Sequence, residues 1–357
     1  MSEVSLGVVI VAYNSGSEIV DCCETLLASA QAAGLPLRVV VVDNDSTDDT
    51  VAQLQDWAGG AAYTPPADQP FEVRPLARPL TLSETSAKAD AGDTARDGLV
   101  LIRSGENLGY AGGVNLGLAH LARNPALTHF WVLNPDTLVP PDAIGVLTDA
   151  LVRRGDAPLG LMGGRVCYTD PPDRIQTDGG TLNMVTGVSG NLNLGQSARD
   201  TPQPDAGRMA FVMGGNMIAS RAFYDLAGPM REEYFLYYEE IDWALARGAL
   251  PLEICPGLVL YHRAGTAIGS PVHGRPASPF SLFFKHRARM MFLRRHNRVA
   301  MPAGYAYTLA FAARLLWRRA PAEAAAVLRG AFGMAPPAAV AARLGPRATQ
   351  IVAAHAR

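Results

Sequence analysis

The amino-acid sequence predicts an α/β fold with a doubly wound, mixed but mostly parallel sheet, and three observations indicate it. Apolar runs at 6–11, 37–42 and 128–133 have the Val, Ile and Leu content of strands that are covered on both faces. Segments with a helical spacing of apolar residues separate these runs. Each run ends in polar residues. This alternation of strand and helix is typical of parallel strands joined by right-handed crossovers.

The helices can be placed from capping residues and apolar spacing. Ser17-Glu18 is suited to begin a first helix, which should end near Gly34. We expect a second helix to begin at 46–48 and a third to contain 116–121, after a strand at 99–102. In the second half, residues 176–196 are rich in Gly, Asn and Thr with short alternating apolar positions, which predicts an antiparallel hairpin or extension. A further strand is predicted at 208–213, before the turn Gly214-Gly215-Asn216.

Residues 58–97 interrupt the alternation. Five prolines lie there among small and charged residues, and no apolar periodicity is present. We interpret this segment as a flexible insertion, because about 40 structureless residues inside a compact domain are more often disordered than catalytic.

Polar side chains follow three of the predicted strands where each strand ends. They are Tyr13-Asn14, Asp43-Asn44 and Asn134-Pro135-Asp136. One such carboxylate on its own would be read as a turn or helix cap. The carboxyl ends of parallel strands meet at one edge of a sheet, where ligands bind. Three polar ends with helices between them therefore predict an enzyme site at this edge.

The charges of the chain are divided unevenly along its length. The whole sequence has 31 basic and 33 acidic residues, but the part from Ser281 onward has 13 basic residues and one acid, Glu323. The two parts therefore carry net charges of about −14 and +12. Such asymmetry predicts that the tail meets something anionic. Two interpretations stay open: an interfacial helix on an anionic membrane surface, or a helical cap packed on the domain or between subunits.

Several other classes of protein are disfavoured. The uncharged run 299–313 is too short to span a bilayer. Nucleic acid is not an expected partner, because the body is acidic and no recognised binding motif is present. The four cysteines show no Cys-x-x-Cys spacing, which argues against zinc and a disulfide framework. The N-terminus lacks a basic region before its first apolar run, so we expect a cytoplasmic protein rather than a secreted one.

Six motifs, in order, resemble those of the family 2 glycosyltransferases, and most closely their rhamnosyltransferase-like branch. The resemblance covers about residues 4–295 apart from the insertion. The motifs are 9–14 (Val-Ile-Val-Ala-Tyr-Asn), 41–48 (Val-Val-Asp-Asn-Asp-Ser-Thr-Asp), 107–115, 134–136, Glu239-Glu240 and His262. The resemblance implies a GT-A fold at 1–280, with a nucleotide-sugar-binding half at 4–137 and an acceptor half at 138–280. Residues 281–357 then form a basic helical extension.

The resemblance also implies a divalent metal ion. Asp136 is similar to the metal-binding Asp of the Asp-x-Asp element, and His262 to the imidazole that completes the metal site in several members. An oxygen and a nitrogen ligand, with diphosphate and water, suit Mg²⁺ or Mn²⁺. This sequence departs from the pattern at Asn134, where the element usually has a first carboxylate. An amide there can still hydrogen-bond, but it brings no charge.

The donor nucleotide is expected at the strand ends. Asp43 resembles the residue that meets the nucleobase or ribose, and Tyr13 and Asn14 lie at the neighbouring strand end. In the Gly-rich segment, Asn107 and the stretch from Gly109 to Gly113 would let the backbone approach the ribose and diphosphate. Alternatively, these glycines only permit close packing of a helix. Their spacing does not give the Gly-x-Gly-x-x-Gly of dinucleotide-binding proteins.

The acceptor hydroxyl needs a carboxylate that takes its proton. Glu240 is similar to the base of the family's paired-acid motif, and Asp242 is the second candidate. Glu239, Glu240 and Asp242 open a short predicted helix, where acids are also favourable for the helix dipole. If the resemblance holds, a single in-line displacement inverts the anomeric configuration.

The predicted function is therefore transfer of a sugar from a nucleoside diphosphate donor to a hydroxyl of a cell-envelope glycan or lipid-linked acceptor. Rhamnose from dTDP is the first choice of donor, before UDP-linked galactofuranose, galactose or GlcNAc. A nucleotidyltransferase would be expected to show a Gly-rich phosphate loop after residue 11, and the sequence has none there. An inactive nucleotide-sugar-binding scaffold would not need Asp136, Glu240 and His262 together.

Overall fold

A mixed, mostly parallel sheet with helices on both faces forms the centre of the protein, as the sequence predicts. The computed structural model describes residues 4–16, 18–87, 98–263 and 277–354. Ser17 and residues 88–97 of the predicted insertion lie outside this part of the chain. The strands are β1 (Leu6–Ala12), β2 (Arg38–Asp43), β3 (Leu82–Ser86), β4 (Gly98–Arg103), β5 (His129–Leu133), β6 (Thr137–Leu138), β7 (Leu161–Tyr168), β8 (Ile175–Thr177), β9 (Gly180–Leu182), β10 (Ser189–Asn191), β11 (Asn216–Ser220) and β12 (Leu252–His262).

The helices cover the sheet and continue beyond it at the C-terminal end. They are α1 (Ile19–Ala33), α2 (Thr50–Gly59), α3 (Gly109–Ala122), α4 (Ala143–Arg154), α5 (Arg221–Ala227), α6 (Glu239–Leu245), α7 (Pro279–His296), α8 (Met301–Trp317), α9 (Pro321–Ala331), α10 (Ala338–Ala341) and α11 (Pro346–Ala354). None of the helices in the described residues is long and apolar enough to cross a bilayer.

The strand order brings the predicted polar ends together. Within the described residues the sheet runs β3-β4-β2-β1-β5-β11-β7-β12-β6, with β8 beside β7. Strands β3, β4, β2, β1 and β5 are parallel, and β11 is antiparallel to both of its neighbours. Strand β12 is parallel to β7 and antiparallel to β6. The carboxyl ends of β1, β2 and β5 therefore lie side by side, as parallel strands require.

The apolar runs become strands because both faces of the sheet are covered. Every residue of β1 is buried. One core cluster joins the sheet to α1, α2 and α4, and a second joins the other face to α3, α5, α6 and α7. Burial on both faces explains why these strands are continuously apolar instead of alternating.

Part of the predicted insertion has regular structure, which corrects the prediction of a structureless segment at 58–97. Helix α2 extends to Gly59, and β3 pairs in parallel with β4 at the edge of the sheet. The fully buried carboxylate of Glu24 accepts hydrogen bonds from Trp57 Nε1 at 2.8 Å and Leu76 N at 2.9 Å, and it also pairs with Arg78. A buried carboxylate needs such partners. They fix the proline-rich segment although it has no apolar periodicity of its own.

The strand predicted at 208–213 is wrong, because the strand of this region begins at Asn216. Phe211 makes one isolated bridge to Gly180, where an added Cβ would lie 2.0 Å from the phenyl ring. Val212 packs in the same way on Gly163. The apolar residues are therefore buried as a loop over glycines, without a strand partner. The antiparallel extension predicted at 176–196 is confirmed by the pairing of β9 with β10.

The basic extension packs on the domain through α7. Ala288 and Phe292 of α7 belong to the core on one face of the sheet, and Phe283 packs in a cluster with Ala324 and Val327 of α9. The backbone of Phe283 lies so close to Gly330 that an added Cβ there would be 2.2 Å from the Phe283 carbonyl oxygen. Helix α7 thus continues the core of the body, and the predicted boundary at 280 falls inside this helix.

Candidate active site

A cavity of about 690 Å³ opens at the carboxyl edge of the parallel strands. Its volume lies within the range of about 300–1,000 Å³ that is common for small-molecule sites. The end of β1, the start of α3, the turn after β5, the start of α6 and the first turns of α7 contribute to its walls. The predicted strand-end site is therefore one continuous pocket.

Asp136 and His262 lie together at one wall, although 126 positions of sequence separate them. Strand β6 directly follows Asp136 and pairs with the end of β12, so that His262 is opposite Thr137. The Asp136 Oδ1 and His262 Nε2 atoms are 2.9 Å apart. The other ring nitrogen, Nδ1, is 2.9 Å from Gln176 Oε1. Gln176 Oε1 can accept a hydrogen bond from the Nδ1–H group and so direct Nε2 towards Asp136 and the cavity.

This pair fits a divalent metal ion. Burial acts to raise the pKa of Asp136, but the charge and hydrogen bond of His262 outweigh it and hold that pKa below its usual range. A carboxylate and an imidazole are suitable ligands for Mn²⁺ or Mg²⁺, and the Gln176 amide holds this imidazole in place. The described residues contain no group of three or more His, Cys, Asp or Glu side chains placed to hold a metal. A metal ion here would therefore need oxygen ligands from a substrate or from water.

Asn134 lies beside this pair. Its Nδ2 atom is 3.1 Å from His262 Nε2. Gly215 makes room for the amide, because a Cβ at that position would be 2.6 Å from Asn134 Nδ2. Asn134 also lines the cavity. The residue that replaces the family's first carboxylate is thus in contact with the imidazole.

Another part of the wall comes from the ends of β1 and β2 and the start of α3. Tyr13, Asn14, Asn107 and Gly109, the residues that the sequence analysis assigns to donor binding, line the cavity here. Asn44 lines it as well: its Nδ2 donates to Gly109 O at 3.0 Å and its Oδ1 accepts from Leu108 N at 3.0 Å. The Asn44 amide therefore fixes the segment before α3.

Asp43, which the sequence analysis placed at the nucleotide, does not line this cavity. Its Oδ1 accepts from Ser46 N at 3.2 Å, and its Oδ2 lies 3.2 Å from Arg103 Nη1. Successive side chains of a strand point to opposite faces, so the neighbouring Asn44 points where Asp43 was expected. The carboxylate of Asp43 holds the turn and pairs with β4.

The glycines of the predicted nucleotide segment have two different roles. Gly109 has φ +75°, and an added Cβ would be 2.6 Å from the carbonyl oxygen of Phe235. Gly113 lies away from the cavity, where an added Cβ would be 2.5 Å from Val11 Cγ1. Gly113 therefore serves close packing of α3 on β1, which is the alternative that the sequence analysis left open.

Glu239 and Glu240 open α6, and both line the cavity. Phe235, Tyr237 and Tyr238 before them have positive φ values of 65°, 69° and 70°. Such residues keep this conformation only when their surroundings hold it. Here the hydroxyl of Tyr238 donates to Gly187 O at 2.6 Å, and the hydroxyls of Tyr237 and Ser281 are 2.7 Å apart. These bonds fix the direction in which the two carboxyl groups point.

The pKa values of Glu239 and Glu240 are both raised. Burial raises the pKa of Glu239 well above its usual range, and the charge of Glu240 adds to the effect. Burial also raises the pKa of Glu240, while its backbone hydrogen bond and the charge of Lys285 act in the opposite direction. The Oε2 atoms of both residues are buried and have no hydrogen-bond partner in the described part of the chain. Orphaned carboxyl oxygens in a cavity are typical of a site that receives a substrate group.

Asp242, the second candidate for the base, points away from this cavity and lines another one. Its Oδ2 lies 3.1 Å from Arg231 Nε, and its Oδ1 contacts His296 and lies 3.4 Å from Arg295 Nε. Two positions along a helix correspond to about 200° of rotation, so Asp242 and Glu240 face opposite sides. Asp242 ties α6 to α7 and has no access to the first cavity.

The sequence analysis assigned no individual role to four residues of the site: Asn44, Tyr110, Gln176 and Lys285. All four line the cavity. Tyr110 donates its hydroxyl to Gly214 O at 2.7 Å and its backbone N–H to Phe235 O at 2.9 Å. Alternation along the strand could have pointed to Asn44. Gln176 and Lys285 come from distant elements, and no local pattern marks them.

The comparisons with known proteins agree with this geometry. Residues 7–83 match the family described as glycosyl transferase family 2. Curated proteins gave no match. The structure is similar to that of GalNAc-T7 with UDP, GalNAc and Mn²⁺, with a TM-score of 0.50 and 12% sequence identity over 80% of this chain and 47% of that chain. The fold is thus the GT-A fold of the glycosyltransferases. The family match at 7–83 includes β1 and β2, and residues at the ends of both strands line the cavity.

Two other solved structures match over more of their own length. The mannosyltransferase PcManGT from Pyrobaculum calidifontis, in complex with GDP-Man and Mn²⁺, has a TM-score of 0.46 and 18% identity over 98% of this chain and 79% of that chain. S. aureus TarS 1–349 in complex with UDP-GlcNAc has a TM-score of 0.46 and 11% identity over 98% of this chain and 79% of that chain. The chain spans about half the length of GalNAc-T7.

Proposed function

We propose that the protein transfers a sugar from a nucleoside diphosphate donor to a hydroxyl group of a cell-envelope glycan or lipid-linked acceptor. One observation carries the proposal. A single cavity has a carboxylate and imidazole pair at one wall, Asp136 with His262, and a pair of buried carboxyl groups at another, Glu239 with Glu240. The first pair suits a divalent ion with a diphosphate, and the second suits removal of a proton from a hydroxyl group.

The proposed reaction is a single displacement. Glu240 takes the proton of the acceptor hydroxyl, the oxygen attacks the anomeric carbon, and the bond from that carbon to the diphosphate breaks. The diphosphate leaves with the electron pair, and the anomeric configuration inverts. Asp136 and His262 would hold Mg²⁺ or Mn²⁺, which would supply positive charge to the departing diphosphate. Tyr13, Asn14, Asn44, Asn107 and Gly109 are proposed to hold the nucleoside, since they form the wall at the ends of β1 and β2.

For the donor, we propose dTDP-rhamnose first and UDP-linked galactofuranose, galactose or GlcNAc next. This order rests on the resemblance of the motifs to the rhamnosyltransferase-like branch. Thermal shifts with TDP, UDP and GDP, each with and without Mn²⁺ or Mg²⁺, measure the preference directly. Metal-independent stabilisation by every nucleotide, or stabilisation by none, would contradict the proposed donor site.

We also propose that an anionic membrane surface is a partner, through the exposed face of α8. Trp317, the last residue of α8, is 84% exposed, and Val299, two residues before the helix begins, is 91% exposed. Arg314, Arg318 and Arg319 lie around Trp317 in the sequence and are exposed. Exposed aromatic and aliphatic side chains beside several cations are typical of helices that lie on anionic lipid. A lipid-linked acceptor would then be presented at the same surface.

The metal site is tested with Asp136→Asn and His262→Gln. Asp136→Asn should abolish transfer and the effect of the metal on nucleotide binding, because it removes the only carboxylate among the described residues at this wall. His262→Gln should have the same effects but more weakly. Asp225→Asn is a matched control, because the Asp225 side chain is 61% exposed and lies outside the cavity. Titration calorimetry with the preferred nucleotide and Mn²⁺ measures the effect. Unchanged metal dependence in both variants would exclude this pair as the metal site.

The base is tested with Glu240→Gln, and Asp242→Asn is the matched control two residues further along α6. Glu240→Gln should lower turnover by about 10²-fold or more, because general-base assistance is lost, while donor affinity stays nearly constant. Asp242→Asn should lower the melting temperature, because it weakens the contacts with Arg231, Arg295 and His296, and should change turnover little. Release of nucleoside diphosphate from the donor measures turnover. A larger loss of turnover in Asp242→Asn would reverse the assignment.

A further inference from the structure

Lys285 reaches the active-site cavity from α7, in the part of the chain that the sequence analysis separated from the catalytic domain. It lines the cavity together with Glu239 and Glu240. Residues on both sides of it along α7 are bonded to the segment before α6. Ser281 Oγ is 2.7 Å from the hydroxyl of Tyr237, and Arg287 Nη1 donates to Glu233 O at 3.1 Å and Tyr234 O at 3.2 Å. These contacts fix Lys285 relative to the two glutamates.

The charge of Lys285 acts on Glu240. The phenols of Tyr110 and Tyr238 face the same region, and burial raises the pKa of both, so they are neutral. Burial lowers the pKa of Lys285, and the charge of Glu240 acts against this. Arg343 also lines the cavity, where its guanidinium lies over the ring of Phe280 at 4.4 Å. Two carboxylates with one ammonium group would leave an excess negative charge in a buried site, which is unfavourable.

We propose, on the basis of the proposed glycosyl transfer, that Lys285 is a positioning residue: its ammonium group selects Glu240 as the ionised member of the pair and leaves one proton on Glu239. The three side chains then carry no net charge. Glu240 is ready to accept a proton from the acceptor, and Glu239 has an O–H group to donate to it or to the donor sugar. Helix α7 is accordingly part of the catalytic apparatus.

The pairing can be tested without any substrate. A double-mutant cycle compares Lys285→Met, Glu240→Gln and the double variant by thermal unfolding from pH 5 to pH 9. At pH 8 the loss in melting temperature of the double variant should be smaller than the sum of the single losses, since both charges disappear together. This difference should fade as the pH falls and Glu240 becomes protonated. Lys285→Arg should keep it.

Glu239→Gln provides the matched control. Because Glu239 is proposed to be protonated, Lys285→Met and Glu239→Gln should act additively over most of this pH range. Equal coupling of Lys285 to both glutamates, or no coupling to Glu240 at any pH, would overturn the proposal. If Lys285→Met does not fold, Lys285→Gln replaces it. Carbon-13 titration of the wild-type glutamate carboxyl groups decides the same question, and ionisation of Glu239 before Glu240 would refute the assignment.

Turnover of the preferred nucleotide sugar gives a second readout. In Lys285→Met the acid side of the pH profile should move to higher pH, so that turnover falls about tenfold at pH 6 and much less at pH 9. Metal-dependent binding of the nucleotide should not change. If no nucleotide sugar is turned over while the coupling is present, the proposed glycosyl transfer is wrong but the coupling of Lys285 to Glu240 is kept. If Lys285→Met turns over the sugar with an unshifted pH profile, the role of Lys285 is refuted and the proposed transfer is kept.

Discussion

Helices α7 and α8 follow each other in the basic extension, but they differ in how far they are buried. Arg287 and Arg289 of α7 are 4% and 2% exposed, whereas Trp317 at the end of α8 is 84% exposed. On α8 the residues at 304, 308 and 312 are buried against the protein, and apolar residues at 306, 309 and 313 face outwards. Net charge in the sequence therefore does not show which cations can meet a partner. Arg287 and Arg289 of α7 serve the fold, whereas Arg314 of α8 and the following Arg318 and Arg319 remain exposed.

The buried arginines of α7 are stable because backbone carbonyls surround them. Arg287 donates to the carbonyls of Glu233, Tyr234 and Ile351 at 3.1–3.2 Å. Arg289 donates to Thr186 O at 2.6 Å and Gly304 O at 3.1 Å, and it also contacts Thr308 Oγ1. Bonds to a charged donor are about twice as strong as neutral ones, which offsets the loss of water. These bonds join α7 to the turn at 233–234 before α6, to α8 and to α11.

The largest loss of stability is expected for a truncated chain that ends at residue 297. This truncation removes acceptors of Arg289 and Arg287 and uncovers Phe283, which packs against Ala324 and Val327. Each lost core contact of this kind costs about 2–5 kcal/mol, and total stability is only about 5–15 kcal/mol. We expect loss of the cooperative thermal transition and of nucleotide binding. Circular dichroism melting measures the first.

A chain that ends at residue 345 is the matched control for this truncation. It lacks α11 but keeps α8 and α9, so it should remain folded with a lower melting temperature, because Arg287 loses only one of its three acceptors. A 297-residue chain that melts like the full protein would show that α8 and α9 are an independent appendage. The different burial of α7 and α8 would then have no consequence for the stability of the body.

The sequence was sufficient for those parts of the protein that depend on local patterns. The strands β1, β2, β4 and β5 follow from apolar runs, and their polar ends meet because parallel strands share an edge. Asp136 and His262 were paired by resemblance to a family, and they lie 2.9 Å apart. The strands and their shared edge need only spacing, burial and chain order, whereas the Asp136–His262 pair came from the resemblance.

Other features depend on contacts between distant residues, and the sequence did not indicate them. Lys285 and Gln176 reach the cavity from elements with no motif. Strand β3 forms inside a proline-rich segment because β4 offers it an edge. The sequence analysis named Asp43 for the nucleotide, but it is the next residue, Asn44, that lines the cavity. Asp242 could have been separated from Glu240 by helix geometry, since the helix itself was predicted.

A smaller effect on stability, which depends on pH, is expected from the burial of His286 in α7. The imidazole is buried and stacks on Phe311 of α8 at 5.3 Å, and burial lowers its pKa to about 3. The unfolded chain binds a proton there below pH 6.5, whereas the folded protein does so only near pH 3. Stability is therefore lost as the pH falls through this window, by about 2 kcal/mol at pH 5.

The substitution His286→Gln removes this titration. At pH 7.5 the variant should be less stable than the wild type, because the stacking on Phe311 is lost, and at pH 5 the difference should shrink or change sign. Urea unfolding at both pH values measures it. Leu309→Ala on the exposed face of α8 is the control, and its difference from the wild type should be the same at both pH values. A constant difference for His286→Gln would mean that the pKa of His286 is the same in the folded and the unfolded protein.

The smallest effect on stability is expected on the exposed face of α8, where binding to lipid should change instead. We consider the triple variant Trp317→Ser, Arg318→Gln and Arg319→Gln. Because these side chains are exposed, the free energy of unfolding should change by less than about 0.5 kcal/mol for each substitution. Flotation with anionic vesicles should nevertheless fall strongly, since each basic residue near an anionic surface contributes about 1 kcal/mol. Arg153→Gln with Arg208→Gln, two exposed cations of the body, is the control and should float like the wild type.

Salt separates the electrostatic part of this binding from the apolar part. The Debye length falls from about 10 Å at 0.1 M to about 3 Å at 1 M, so flotation of the wild type should decrease but not vanish while Trp317 remains. Neutral vesicles should bind weakly at both salt concentrations. Flotation of the triple variant equal to that of the wild type would exclude α8 as the lipid surface. A change from dimer to monomer in the triple variant, by sedimentation and without any flotation of the wild type, would instead assign this face to a second copy of the chain. In that case the cations of α8 would meet the acidic body of a neighbouring molecule, and both helices would serve protein contacts.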